Sequence, residues 1–260
     1  MNPDSAARAA LLEAVVQLVR DAGAVVMAVY ATAFTVRGKD DASPVTDADE
    51  RAEALIVPAL EALLPGVPVV AEEAVARGHV PAPGTRFWLV DPLDGTKEFV
   101  SRNGEFTVNV ALIDDGVPVL GVVLAPALGR LFAGASGIGA FVEDADGRRA
   151  ITCRSMPAEG LTVMASRSHG DAPALAAFLA GRKLASLAYA GSSLKLCLIA
   201  AGEADLYPRF GRTMEWDIAA GHAVLRAAGG NVCCLDGTPL RYGKPGFENP
   251  HFVASGTPSA

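Results

Sequence analysis

The chain is short of positive charge. Its 22 Lys and Arg are outnumbered by 29 Asp and Glu, giving a net charge of −7 at pH 7. That balance excludes general attraction to nucleic acid, which rests on neutralising phosphates. An anionic substrate is also repelled at long range, so its site must carry a metal or local Lys and Arg. Cysteine is scarce: Cys153, Cys197, Cys233 and Cys234. No C-x-x-C occurs, and adjacent Cys233 and Cys234 would face opposite sides of a strand. All four read as reduced core residues of a cytoplasmic protein. His79, His169, His222 and His251 show no zinc spacing. His222, among alanines on an expected helix, reads as structural. The N-terminal region lacks the basic and apolar segments of a signal peptide. The charge-free stretch from Val117 to Gly129 is too short for a bilayer and holds two prolines.

What is present suits a soluble enzyme. Hydrophobic residues make up 51% of 260, enough for one large domain or two intimate ones. Leu11, Leu12, Val15, Val16, Val19, Val26 and Met27 predict a long amphipathic helix over 5–30. A second helix should start near Thr46 or Asp47 and bury Leu55, Ile56, Leu60 and Leu63, bent or shortened by Pro58. Strands are expected at 67–71, 87–90, 106–113, 117–125, 130–134 and 140–143. Asp114-Asp115-Gly116 and Asp146-Gly147 mark turns. This reads as an antiparallel meander and an α+β first half, residues 1–154. From 155 to 260 strands (162–165, 186–190, 204–207) alternate with helices (172–180, 194–201, 216–228), an α/β half. The expected fold class is therefore α/β.

The most informative stretch is Trp88-Leu89-Val90-Asp91-Pro92-Leu93-Asp94-Gly95-Thr96-Lys97-Glu98-Phe99. An apolar run delivers two carboxylates to a chain reversal. That arrangement builds a poor core and a good Mg²⁺ site, since Mg²⁺ takes oxygen ligands and binds substrate phosphates. The Gly-Thr pair adds N–H groups and a hydroxyl suited to an anion. Three other acidic patches sit at element ends: Asp47/Asp49, Glu72/Glu73 and Asp217. Taken singly, Asp47-x-x-Glu50 is a capping-box variant, Glu72-Glu73 a solvated strand end and Asp217 a helix-dipole acid. Taken together, the patches favour one metal site. A two-metal phosphoester hydrolase needs this inventory: a shared carboxylate, further anchors, N–H groups for phosphate and a group that orients water.

At these residues the chain resembles the inositol monophosphatase superfamily of Mg²⁺-dependent, lithium-sensitive phosphatases. Glu72-Glu73, Asp91 to Thr96 and Trp216-Asp217 match its three motifs. Three more segments resemble its branch acting on 3′(2′),5′-bisphosphate nucleotides: Thr96-Lys97-Glu98-Phe99, Gly191-Ser192-Ser193-Leu194-Lys195, and Asp205 to Gly211. The likeness runs from about Lys39 to Gly230. It implies a layered α-β-α-β-α sandwich. It also implies that Glu72, Asp91 and the Leu93 carbonyl hold one Mg²⁺, and Asp91, Asp94 and Asp217 a second. Glu73 and Asp49 would support a weaker third through water. Thr96 and Asp49 would orient the nucleophilic water, and the Gly95 and Thr96 N–H groups would hold the scissile phosphate. Arg212 replaces the usual Pro before Thr213-Met214-Glu215-Trp216, and Ala71 a common Ser.

The implied reaction removes the 3′-phosphate of adenosine 3′,5′-bisphosphate, giving AMP, in the setting of sulfate assimilation. A second phosphate asks for a further cation. Lys195 is the first candidate, against a snorkelling surface lysine. Arg209 is the next, against an ordinary ion pair. Lys97 is expected to face away, and Lys39 to be solvated. Ser192 and Ser193 either bond phosphate or cap the helix. The implied substrate set therefore includes Glu72, Leu93, Asp94, Gly95, Thr96, Ser192, Lys195, Arg209 and Asp217. Rival readings are an inositol or sugar phosphatase and a non-catalytic nucleotide or metal sensor. The resemblance admits a homodimer. No basic amphipathic helix supports a weak peripheral association with the inner membrane face.

Overall fold

In the computed structural model, residues 3–34, 36–38, 44–166 and 171–256 are described. Lys39 and His169 lie outside them. The first elements are α1 (Pro3–Tyr30), the antiparallel pair β1 (Val36–Gly38) and β2 (Pro44–Thr46), α2 (Asp47–Leu63), β3 (Val69–Ala71), α3 (Glu72–Ala76), β4 (Arg86–Asp94) and α4 (Thr96–Val100). A meander follows: β5 (Thr107–Asp114), β6 (Val117–Ala125), β7 (Arg130–Ala135), β8 (Gly139–Asp144) and β9 (Gly147–Ile151). Then come β10 (Leu161–Ser166), α5 (Ala172–Leu179), β11 (Leu184–Ala190), α6 (Leu194–Ala200), β12 (Leu206–Arg209), α7 (Glu215–Ala227), β13 (Asn231–Cys234) and β14 (Phe252–Ser255).

Strands β3 to β9 form a seven-stranded sheet in sequence order, antiparallel except for the parallel pair β3–β4. The second sheet has the order β11-β10-β12-β14-β13; β10 is parallel to both neighbours and β14 antiparallel to both of its own. Alternation along the strands explains the layers. On β4, Trp88 and Val90 join the core with α1 and α2, while Phe87 and Leu89 join the core with α6 and α7. On β5, Val108, Val110 and Leu112 take the first side, Ala111 and Ile113 the second. The second core continues to Met164, Tyr207 and Phe252 of the five-stranded sheet, whose other face packs Val163 and Leu206 against Leu175, Phe178 and Leu179 of α5. The result is the expected layered α-β-α-β-α sandwich.

Helix α7 approaches the large sheet closely because both surfaces are stripped of side chains. A Cβ at Gly121 of β6 would clash with the Ala220 carbonyl oxygen and with Ala223 Cβ, 2.7 Å away. A Cβ at Gly134 of β7 would lie 2.8 Å from Ala227 Cβ. This fit of alanines on glycines sets the depth of the helix that carries Asp217.

Several expectations need correction. The cap of α2 is Thr46 instead of Asp47. Thr46 Oγ1 accepts from Ala48 N at 3.1 Å, and Asp49 returns the favour to Thr46 N at 2.8 Å. The helix runs through Pro58 to Leu63, and Leu55 and Leu63 are only half-buried. Among the cysteines, all free, only Cys197 is fully buried. Strand β9 was not expected because Gly147-Arg148-Arg149-Ala150-Ile151 is an exposed edge with no apolar alternation. The five-residue α3 and α4 and the four-residue β13 and β14 are too short to show a period. His222 is buried, with Nδ1 2.9 Å from the Tyr242 hydroxyl; burial pushes its pKa down to about 3, the structural role expected.

The α7 contact makes a first prediction. Gly121→Ala should cost about 1–3 kcal/mol by overpacking against an immovable backbone carbonyl. Thermal unfolding would show a midpoint lower by several degrees, and an unchanged midpoint would refute the close-approach reading.

Candidate active site

The site grows from the end of β4. Continuing the alternation of Phe87 and Leu89 puts Asp91 on the face covered by α7. Ala71 pairs with Val90 across β3–β4, so Glu72, the next residue, stands level with Asp91. The register of β4 with β5 breaks between Asp91 and Asp94, a bulge that re-aims the strand end. Asp91 Oδ1 accepts from Leu93 N at 3.0 Å, closing the turn. Gly95 then takes φ +89°, which a side chain disfavours, and a Cβ there would strike Ser192 Oγ. Helix α4 starts at the next residue.

Helix α7 brings the remaining carboxylate. Asp217 Oδ2 accepts from Met214 N at 2.8 Å, fixing the acid in the first turn. Asp91 is almost fully buried, at 1% exposure, while Glu72, Asp94 and Asp217 are half-buried. Burial pushes the Asp91 carboxyl well above its usual range, and the charges of Glu72, Asp94 and Asp217 add to the effect. Burial raises Asp94 to about 7; Lys195 pulls it back, whereas Glu72 and Glu98 push it up. Asp217 is raised by burial, then by Asp94 and Glu72. Carboxylate oxygens facing one cavity are the donor type that a hard divalent cation such as Mg²⁺ takes, although among the described residues no group of three or more such side chains forms a ready-made metal site.

A cavity of about 610 Å³ opens over these acids. It gathers Glu72, Asp91, Leu93, Asp94, Gly95, Thr96, Ser192, Lys195, Arg209 and Asp217. Asp49 and Glu73 do not line it. Asp49 stands behind Thr96, whose Oγ1 lies 3.4 Å from Asp49 Oδ1 and 3.3 Å from the Leu93 carbonyl. Glu73 is buried, its N–H donating to Glu53 Oε2 at 2.8 Å.

Lys195 is not a snorkelling surface lysine. It is 4% exposed, and its Nζ donates to the carbonyls of Ala190 at 3.1 Å and Ser192 at 2.6 Å. The ammonium also sits 5.2 Å from the Tyr207 ring centroid. Burial lowers its pKa to about 8 against the opposing pull of Asp94. Arg209 is buried too, with Nη2 donating to the Arg212 carbonyl at 2.9 Å. Arg212 pairs with Glu248 at 3.3 Å, and Lys97, expected to face away, lines the cavity. Ser192 adopts φ +49°, and its hydroxyl lies 2.8 Å from the Asp94 carbonyl and 2.7 Å from that of Glu105. That hydroxyl ties α6's loop to the Asp91–Thr96 turn. Ser193 occupies the N-cap of α6 without a capping bond.

Two contributors escaped the sequence reading. Asn109 faces Asp91 across the sheet, and its Nδ2 lies 3.4 Å from Asp94 Oδ2. Its polarity amid the apolar run Val108 to Ile113 was the available signal. Glu215, next to Trp216-Asp217, is fully buried.

With its two-sheet sandwich and carboxylate-lined pocket, the chain belongs to the inositol monophosphatase family, whose sequence profile matches residues 7–256. Among its relatives, 3′(2′),5′-bisphosphate nucleotidase CysQ of Escherichia coli K12 is 48% identical, over 94% of this chain and 99% of that protein. CysQ of Buchnera aphidicola is 41% identical over 94% and 93%. The crystal structure of Bacteroides thetaiotaomicron CysQ superposes with a TM-score of 0.80 at 36% identity, covering 94% of this chain and 96% of that one. The Thermotoga maritima IMPase gives 0.77 at 27% identity, over 94% and 91%. Among the described residues no helix is long and apolar enough to cross a membrane.

The raised carboxyls have a pH consequence. Their folded-state pKa values exceed the unfolded ones, so the stability they contribute is present at low pH. It is lost as pH rises through the folded values, about 7 for Asp94. Asp91→Asn, which removes one buried charge and keeps an acceptor for Leu93 N, should therefore raise the melting midpoint of metal-stripped protein at pH 8. The gain should shrink at pH 5.5. Equal midpoints for mutant and wild type in chelator at pH 8 would show that the acids do not repel as described.

Proposed function

We propose that the protein is a Mg²⁺-dependent phosphatase that hydrolyses the 3′-phosphate of adenosine 3′,5′-bisphosphate to AMP and phosphate. The observation that carries this reading is the polarity of the cavity. A carboxylate cluster at Glu72, Asp91, Asp94 and Asp217 shares one space with the buried cations Lys195 and Arg209. A nucleotide with two phosphates can set one at each end. The 48% identity to the E. coli bisphosphate nucleotidase supports the substrate class.

Glu72, Asp91 and the Leu93 carbonyl would hold one Mg²⁺, and Asp91, Asp94 and Asp217 a second, with Asp91 shared. When bound, the ions supply charge neutralisation at the phosphate and lower the pKa of a water towards neutrality. The Thr96 hydroxyl orients the attacking water. Asp49, beside Thr96, accepts from that hydroxyl, so the proton chain leads away from the phosphate. Backbone N–H groups of Gly95 and Thr96 take the scissile phosphate, on a turn whose φ of +89° at Gly95 a side chain disfavours. Lys195, fixed by two carbonyls, meets the second phosphate as a preorganised charge and loses little side-chain freedom on binding. Asn109 steadies Asp94 from the neighbouring strand.

Two outcomes test the reading. Asp94→Asn should lower kcat by roughly 10³-fold while circular dichroism stays native; near-wild-type turnover would remove Asp94 from the metal set. Lys195→Met should raise KM for adenosine 3′,5′-bisphosphate by about tenfold or more while leaving inositol 1-phosphate turnover little changed. Equal effects on both substrates, or preference of the wild type for inositol 1-phosphate, would keep the phosphatase and discard the nucleotide.

A further inference from the structure

The cavity wall that carries Asp217 is not held by α7 alone. Glu215, two residues before Asp217, has no exposed surface, and three donors converge on it. Gly243 N reaches Oε2 at 2.7 Å, and Lys244 N and Nζ reach Oε1 at 2.9 and 2.6 Å. The Lys244 ammonium also donates to the Arg241 carbonyl at 2.6 Å and to Asn249 Oδ1 at 3.1 Å. Asn249 turns its Nδ2 back to the Met214 carbonyl at 2.7 Å and to Thr213 Oγ1 at 3.3 Å, while its backbone N donates to the Thr213 carbonyl at 2.9 Å. Met214 forms an isolated antiparallel bridge with Glu248, and the Trp216 and Phe247 rings lie 5.9 Å apart. The loop 241–249 thus grips the segment 213–216 through side chain, backbone and ring. That segment lines the cavity at Thr213, Met214 and Trp216, and its Met214 N–H holds Asp217 Oδ2.

We infer that Glu215, Lys244 and Asn249 form a positioning brace that sets Asp217 for Mg²⁺, although none of the three touches the cavity. This rests on the metal assignment proposed above. The geometry favours a positioning role over mere stability. The polar contacts of Asn249 to the wall fall on the residues flanking the peptide whose N–H orients the acid. A loosened brace leaves Asp217 in place chemically but free to turn, so metal affinity falls while the reaction at saturating metal survives. Supporting groups of this kind act on affinity by about 10–100-fold.

The test uses full-length, chelator-stripped protein and titrates Mg²⁺ by calorimetry, with amide exchange at Met214 as a second readout. Asn249→Ala and Glu215→Gln should each weaken Mg²⁺ binding by about tenfold or more and speed exchange of the Met214 amide, with kcat at saturating Mg²⁺ within about threefold of wild type. Arg154→Ala serves as the stability control. It removes the ion pair of Arg154 Nε with the fully buried Asp205 carboxylate, 2.7 Å apart and separate from the cavity lining. It should lower the melting midpoint and leave Mg²⁺ affinity within about twofold. Unchanged Mg²⁺ affinity in folded Asn249→Ala and Glu215→Gln overturns the inference, as does an equal loss in Arg154→Ala. If both brace variants fail to fold, Lys244→Met is read by the same titration and the same criterion. Wild-type protein that binds Mg²⁺ but leaves the nucleotide intact overturns the substrate reading alone; wild-type protein that binds no Mg²⁺ overturns both.

Discussion

Like charges in a confined space govern this molecule. Burial and neighbouring carboxylates, Glu72 among them, raise the affinity of Asp91, Asp94 and Asp217 for protons, and rigid surroundings hold these acids together. Each surrounding feature can be understood as a restraint. The β4 bulge fixes the spacing of two acids, and the Leu93 N–H holds one of them. The parallel β3 sets Glu72 level with Asp91. Glycines under α7 fix the height of the fourth. The fold thus keeps free energy stored at the site that a divalent cation can release, the usual exchange of stability for function.

The opposing charge is handled differently. Lys195 and Arg209 are also buried; Lys195 hydrogen-bonds two backbone carbonyls and Arg209 one, while Asp94 attracts the Lys195 ammonium and Arg209 attracts Asp217. A carbonyl dipole stabilises the ammonium without cancelling its charge. The cation therefore stays available to an arriving anion, in a protein whose overall charge would repel one.

Much of this was legible in the sequence, for identifiable reasons. Long periodic segments such as α1 and the meander strands announce themselves because burial on one or both faces leaves a repeating pattern. The acids at 72, 91 and 94 drew notice because hydrophobic strands seldom end in clustered carboxylates, and Asp217 because it follows Trp216 at a helix start. Short elements were not: α4 lasts five residues, and its start depends on the left-handed Gly95. The roles of Ser192 and Ser193 were undecidable because both uses require the same residues. Only the fold shows the Ser192 hydroxyl turned to the carbonyls of Asp94 and Glu105. Asn109 and Glu215 were missed since each acts from an element whose pattern gives no hint of its neighbour.

The Ser192 tie has a consequence for how the protein is made. Its partners lie about a hundred residues earlier, and Asp217 and the 241–249 loop come later still. During synthesis the meander and its first acids leave the ribosome long before the groups that complete the pocket. A nascent chain therefore passes through a stage in which crowded acids stand without their cationic and α7 counterparts. The pocket is therefore completed only once Asp217 and the 241–249 loop have been made.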